Sequence, residues 1–378
     1  MHKLHFSRKS ITACIFCALL FVLSALLFLP DKTFSEAEKR VLASPPALRV
    51  ETLANGKFES RLETYIQDQM AFRNFWVGLC AYFNAAAGQN GTDGVYAGSD
   101  GWLIGTPAKE NPRNLGSNLR TLNGFAEKVQ KPAYLLIVPQ TGYVLEEKLP
   151  RRHTPYTDDA VFAAAAENAP KLSLVDLRET FRKAQSNTQI YYKTDHHWTS
   201  AGALLAANAF LQSAGRPTLS AGDFTIESVP GFYGTTYSRA ALWRKQPDTM
   251  QLWSIPGAKL SVEVTDLGGN TVQQNSVFFR EHLEKYDRYP VYLAGNHSLT
   301  HIVNESAPDG SLLLVKDSFG NTLATLLAAA YREIWMVDLR YYRTEAVSDL
   351  ITQHGIDTLL VNYSTDDLMN DANILWLK

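Results

Sequence analysis

The sequence predicts an α/β protein: a mainly parallel sheet with helices on both faces, interrupted by a β-rich insertion. Two observations predict it. From Pro112 onward, short apolar runs alternate with helix-length stretches, the pattern of strands joined by crossover helices. Between residues 216 and 310 that alternation breaks into short β-like runs such as LSVEVT and SVFFR, set between Gly, Pro and Asn clusters, and it resumes at 312.

Taken in order, the chain opens with the uncharged run Ile11 to Leu29, which follows Lys3, Arg8 and Lys9. A basic leader before an apolar run is an export signal. About 20 apolar residues rising 1.5 Å each span a hydrocarbon core of ~30 Å, and Leu-Pro-Asp-Lys stands where a small-residue cleavage site would be needed. Residues 1–30 are therefore expected to be an uncleaved single-pass anchor rather than a removed signal. The basic flank stays in the cytoplasm, which places the globular part outside it, extracellular or periplasmic.

Residues 31–47 are polar, contain a Pro-Pro pair and suit a tether. Residues 48–111 form a helical and hairpin region. Phe58, Leu62, Tyr65, Ile66 and Met70 recur at helical steps, and GVYAGSDGWLIG at 94–105 places turn residues between two short apolar segments.

The α/β domain, 112–378, then reads as a helix near 112–130 and strands at 133–140 and 173–177. After the insertion come a strand at 312–317, a helix at 321–331, a strand at 334–339, a helix at 344–354 and a strand at 358–363. The ~345 residues beyond the apolar run exceed what one core supports, so an insertion or second lobe is expected.

Of 378 residues, 36 are Lys or Arg and 38 Asp or Glu, a net charge of −2, which gives no reason to expect nucleic acid as a partner. Cys14 and Cys17 lie in the apolar run and only Cys80 lies beyond it. No disulfide within the globular part and no cysteine metal site is expected.

Two segments carry chemistry. In YYKTDHHWTSAGALLAANAFLQSAG, 191–215, a loop runs into a helix that Thr199 or Ser200 can cap. Asp195 and His197 sit on the turn before it. A carboxylate two residues from an imidazole can bond one ring nitrogen and leave the other free as a general base. In SLLLVKDSFGNTLATLLAAAY, 311–331, Ser318 stands between a buried strand and a helix. Backbone N–H groups at that helix start can stabilise an oxyanion. Two histidines beside an aspartate could also bind a metal, but a tetrahedral site needs three or four ligands and no second cluster stands out, so no metal is expected. No cofactor is expected either.

TDHHWTSAG followed by KDSFGN resembles the DHHW protein family, relatives of the alginate O-acetyltransferase group. FESRLETYIQDQMAFR, GSDGWLIG, VDLRYY and LLVNYS extend the resemblance over nearly all the globular chain. It implies an SGNH-hydrolase-like (flavodoxin-like) fold in circularly permuted order, with the Asp-x-His block ahead of the serine block. By the same resemblance Asp195 orients His197, His197 activates Ser318 as nucleophile, and Asn362 stands at the oxyanion site. The expected glycine is missing and VDLRYYR occupies its place, so a backbone N–H near Arg340 or that of Ser318 would serve. Trp198, Tyr233 and Tyr342 are candidates for stacking on a sugar.

The implied activity is O-acetylation of a cell-surface polysaccharide, with the acyl donor supplied by a membrane-bound O-acyltransferase. A carbohydrate acetylesterase using the same triad and a non-catalytic polysaccharide-binding or assembly protein are the alternatives.

Overall fold

The computed structural model describes residues 8–26 and 30–377. It divides into two compact units, one of residues 1–89 with 241–243, the other of residues 90–240 and 244–378.

In the first unit the apolar run is helical over Arg8–Leu26. That helix opens on Arg8 and Lys9. Among the described residues no helix is long and apolar enough to cross a membrane. The end of the run expected as an anchor, 27–29, lies outside the described residues. The segment expected as a tether is held by side chains: Asp68 accepts from Arg40 Nη1 (2.9 Å) and from the Ala43 N–H (2.8 Å), and Gln69 bonds both the N–H and the carbonyl of Lys32.

In the second unit, residues 91–105 form a small antiparallel sheet through Gly91–Thr92, Val95–Ala97 and Leu103–Gly105. The main sheet has eight strands. In chain order they are β1 (Ala133–Val138), β2 (Ser173–Asp176), β3 (Leu260–Thr265), β4 (Thr271–Gln274), β5 (Leu299–Asn304), β6 (Ser311–Lys316), β7 (Glu333–Val337) and β8 (Thr358–Ser364). In space they run β4-β3-β5-β7-β6-β8-β1-β2. Pairs from β7 to β2 are parallel, and those from β4 to β7 antiparallel, so the sheet is mixed. Residues 216–310 supply β3, β4 and β5, and also a hairpin of Thr225–Phe232 with Asp248–Ser254. SVFFR is not a strand: Phe278 makes one isolated bridge to Tyr292.

The parallel strands are apolar on both faces because both faces are covered. In β6, Leu312 and Leu314 join one core with helices α3 (Ser200–Ser213) and α4 (Phe319–Leu327). Leu313 and Val315 point the other way, into a second core with α1 (Pro112–Val129), α2 (Asp158–Asn168) and α5 (Val347–His354). One strand thus serves two cores with its period of two. The turn following β6 is where the first core meets the sheet edge, and it carries Ser318.

Candidate active site

The loop 189–199 is a narrow hairpin. Tyr191 bridges Trp198, the Tyr192 N–H donates to the His197 carbonyl, and the Thr199 N–H to that of Ile190. Thr199 supplies the helix cap, its hydroxyl accepting from the Gly202 N–H at 3.2 Å. Within this frame Asp195 is 1% exposed. Its Oδ1 accepts from His197 Nδ1 at 2.5 Å and from the His197 N–H at 2.9 Å. Its Oδ2 accepts from the Thr235 N–H at 2.7 Å and the Thr235 hydroxyl at 3.1 Å. Four donors hold both oxygens. The approach needs Gly234, because a Cβ there would lie 2.1 Å from that of Asp195.

A carboxylate on Nδ1 makes that nitrogen the donor, which leaves Nε2 to accept. His197 Nε2 lies 2.7 Å from Ser318 Oγ. Asp195, His197 and Ser318 therefore form one continuous hydrogen-bonded chain. His197 is buried and Ser318 partly exposed, so the hydroxyl end of the chain is the one a ligand can reach.

The serine turn is fixed by its neighbours. Asp317 is buried, and its carboxylate accepts from the Phe319 N–H at 2.9 Å and from the Ser364 N–H at 2.6 Å, joining the turn to the end of β8. Burial, with Asp367 nearby, pushes the Asp317 carboxyl up to about 8. Lys316, 2% exposed, donates to Asn296 Oδ1 at 2.8 Å and Asp338 Oδ2 at 3.2 Å, and burial pushes its ammonium down. Its aliphatic stem fills the space a Gly320 side chain would take, 2.6 Å from such a Cβ.

Residues 162–337 match the DHHW protein family. The resemblance read from the two motifs is borne out. Over 181 residues the chain is 26% identical to a probable alginate O-acetylase AlgJ of Pseudomonas putida, which covers 46% of this chain and 47% of that protein. The chain thus spans about half the length of that curated relative. In fold it is similar to a DHHW family protein of Eubacterium siraeum (TM-score 0.65, 24% identity, 75% of this chain and 95% of that one). It is similar as well to Bacillus cereus PatB1 with a sulfonyl adduct (TM-score 0.63, 21% identity, 74% and 98%).

The matched DHHW strip brings together Asp195 and His197, but the five other residues expected at the site are taken up by packing or by hydrogen bonds of their own. Trp198 is fully buried and meets Phe319 edge-on at 5.2 Å, so it offers no face to a sugar. Tyr342 is buried too, its hydroxyl donating to Glu345 Oε1 at 3.2 Å. Arg340 is turned onto Asp338, with Nε at 2.8 Å, Nη2 at 2.6 Å and its N–H at 3.1 Å, which leaves that N–H committed. Asn362 is not at a strand end: β8 continues to Ser364, and Asn362 pairs in register with Lys316 inside the sheet, donating to the Leu136 carbonyl at 3.4 Å. Tyr233 is half-buried, stacks on Tyr237 at 4.2 Å and donates to the Lys245 carbonyl.

His196 is the exposed member of the strip, its side chain 45% accessible, with Nδ1 2.6 Å from the Thr235 hydroxyl. It borders a cleft of 160 Å³ with Phe319, Gln140, Thr141, Asp366 and Asp367. Ligand atoms of Asp195, His196 and His197 lie within 4.8 Å of one another, close enough to share a metal. Both nitrogens of His197 and both oxygens of Asp195 are hydrogen-bonded here.

Sequence reasoning missed Thr235, Asp248 and Tyr289. Asp248 accepts from Gln189 Nε2, the Lys193 N–H, the Thr194 N–H and the Thr194 hydroxyl, at 2.6 to 3.0 Å, and so pins the strand entering the DHHW strip. All three lie in 216–310, where no motif marks them.

Proposed function

We propose that this chain is an extracytoplasmic serine O-acyltransferase that acetylates a polysaccharide. One observation carries the reading: the chain from Asp195 through His197 Nδ1 and Nε2 to Ser318 Oγ. Asp195 orients the imidazole. His197 Nε2 takes the Oγ proton as Oγ bonds to the acyl carbon of the donor, and the leaving group departs with a proton returned from His197. A sugar hydroxyl then gives its proton to Nε2 as its oxygen bonds to the acyl carbon, and the bond to Oγ breaks as His197 returns that proton to Ser318. The Ser318 N–H, at the start of α4, is the donor best suited to the developing oxyanion.

The order Asp195, His197, Ser318 supports a permuted SGNH-like arrangement, and the alginate O-acetylase relatives support a polysaccharide acceptor. The cleft beside His196 has room for an acyl group and part of one ring, smaller than a typical ligand pocket of about 300 Å³ or more. A polysaccharide would therefore lie across the open surface. The basic leader and apolar run support export, and the resemblance supports a membrane-bound O-acyltransferase as donor.

The test is to incubate the full-length protein with an acetylated chromogenic ester, with and without neutral and acidic oligosaccharides. Wild type should transfer acetyl to an oligosaccharide, detected by mass, and Ser318→Ala should lose several orders of magnitude in rate. Release to water alone would make it an acetylesterase. No reaction of the wild type with any ester would leave a polysaccharide-binding role.

A further inference from the structure

The imidazole of His197 lies between two rings. Tyr289 stacks on it with centroids 3.7 Å apart and planes 10° from parallel, and His196 lies 3.8 Å away at 38°. Two rings so close to one centroid occupy opposite faces. Tyr289 comes from the short turn Tyr289–Val291, remote in sequence from both motifs, and it is buried. Its hydroxyl donates to the Ser318 carbonyl at 3.3 Å and shares a hydrogen bond with the Thr322 hydroxyl at 3.0 Å. One side chain thus touches both the base and the backbone of the nucleophile.

We propose that Tyr289 is a positioning residue that clamps the proton-transfer pair: its ring fixes the plane of His197 and its hydroxyl fixes the Ser318 turn. This rests on Ser318 being the nucleophile. The bond from Nδ1 to Asp195 holds one corner of the imidazole. Rotation about Cβ–Cγ is only weakly restricted in histidine, and a swing about that axis would carry Nε2 away from Oγ. Rings on both faces block the swing. When Nε2 takes the Oγ proton, the imidazole gains a positive charge against the electron-rich face of Tyr289, which favours that state over the neutral one. The clamp acts on the transfer step, because the two groups Tyr289 touches are the His197 ring and the Ser318 backbone.

The test compares Tyr289→Phe, which keeps the ring, with Tyr289→Leu and Tyr289→Met, which do not. Two readouts are used on the full-length protein: the saturating rate of Ser318 modification by an aryl sulfonyl fluoride, and the proton resonances of the His197 ring, assigned with His197→Ala. In wild type and Tyr289→Phe the His197 ring protons should be shifted upfield by the stacked ring, and the modification rate of Tyr289→Phe should stay within about 10-fold of wild type. The ringless variants should lose the part of the shift that Tyr289 adds to that of His196 and slow on the order of 100-fold, with the half-saturating reagent concentration unchanged. Unshifted His197 signals in wild type, or a ringless variant as fast as wild type, overturn the clamp. If wild-type Ser318 never reacts while the shift is present and ring-dependent, the acyl-transfer reading falls and the clamp stands. Should neither ringless variant fold, Tyr289→Phe decides, because loss of the shift there is incompatible with a ring-borne clamp.

Discussion

The histidine loop and the serine turn meet at a 2.7 Å hydrogen bond but are built differently. The loop 189–199 is held from outside: Thr235 grips Asp195, Asp248 takes four donors from 189–194, and the Ser200 hydroxyl donates to the Gln251 carbonyl at 2.6 Å. The serine turn is held by its own sheet, through Asp317 to the end of β8 and Lys316 to Asp338 after β7. The β-rich segment 216–310 thus carries most of the bonds that hold the histidine loop, whereas the serine turn leans chiefly on neighbouring strands and takes only Asn296 and Tyr289 from that segment. Damage to the two halves should look different.

The largest expected difference lies within the loop itself. His197→Ala removes the group bonded to both Asp195 and Ser318, and ester turnover should fall by at least about 10³-fold. His196→Ala removes an exposed ring that bonds Thr235, and turnover should fall less than about 10-fold. Equal losses in the two variants would move the base off His197 alone.

A smaller effect tests the scaffold. Asp248→Ala leaves the Thr194 N–H buried without its acceptor and the Thr194 hydroxyl with only the Phe232 carbonyl, a loss of about 1–3 kcal/mol for a buried unsatisfied group. It should lower both the unfolding temperature and kcat, the latter about 10- to 100-fold, with KM nearly unchanged. An Asp248→Ala enzyme with wild-type kcat would show that the loop holds its geometry without the insertion.

The smallest effect belongs to the serine side and is read in pH. Burial raises the carboxyls of Asp158 to about 6, Asp366 to about 7 and Asp317 to about 8. Unfolded, each titrates near ~4. Between those limits the native state binds more protons than the unfolded one, so these groups make stability fall as pH rises from about 4 through about 8. Asp366→Asn removes one such group, and its unfolding temperature should drop less than that of wild type between pH 5 and pH 8. An equal or steeper drop would refute the assigned burial of that carboxyl.

The sequence by itself determined the central strands and helices of the domain, near 112–140, 173–177, 200–213 and 312–363, because apolar runs buried on both faces and a Thr199 cap are local patterns. It also determined which three side chains form the Asp195–His197–Ser318 chain, since two short motifs carry them and a strand-to-helix turn exposes the serine. Tertiary structure alone decided the rest. Trp198 and Tyr342, read as candidate sugar platforms, are buried because ring faces packed in a core carry no sequence mark different from exposed ones. Asn362 fell inside the sheet because β8 runs on to Ser364, one pleat past the expected end. Thr235, Asp248 and Tyr289 could not be found in the sequence: each acts on residues distant in the chain, through a hydrogen bond or ring contact that exists only once 216–310 has folded against the loop and the serine turn.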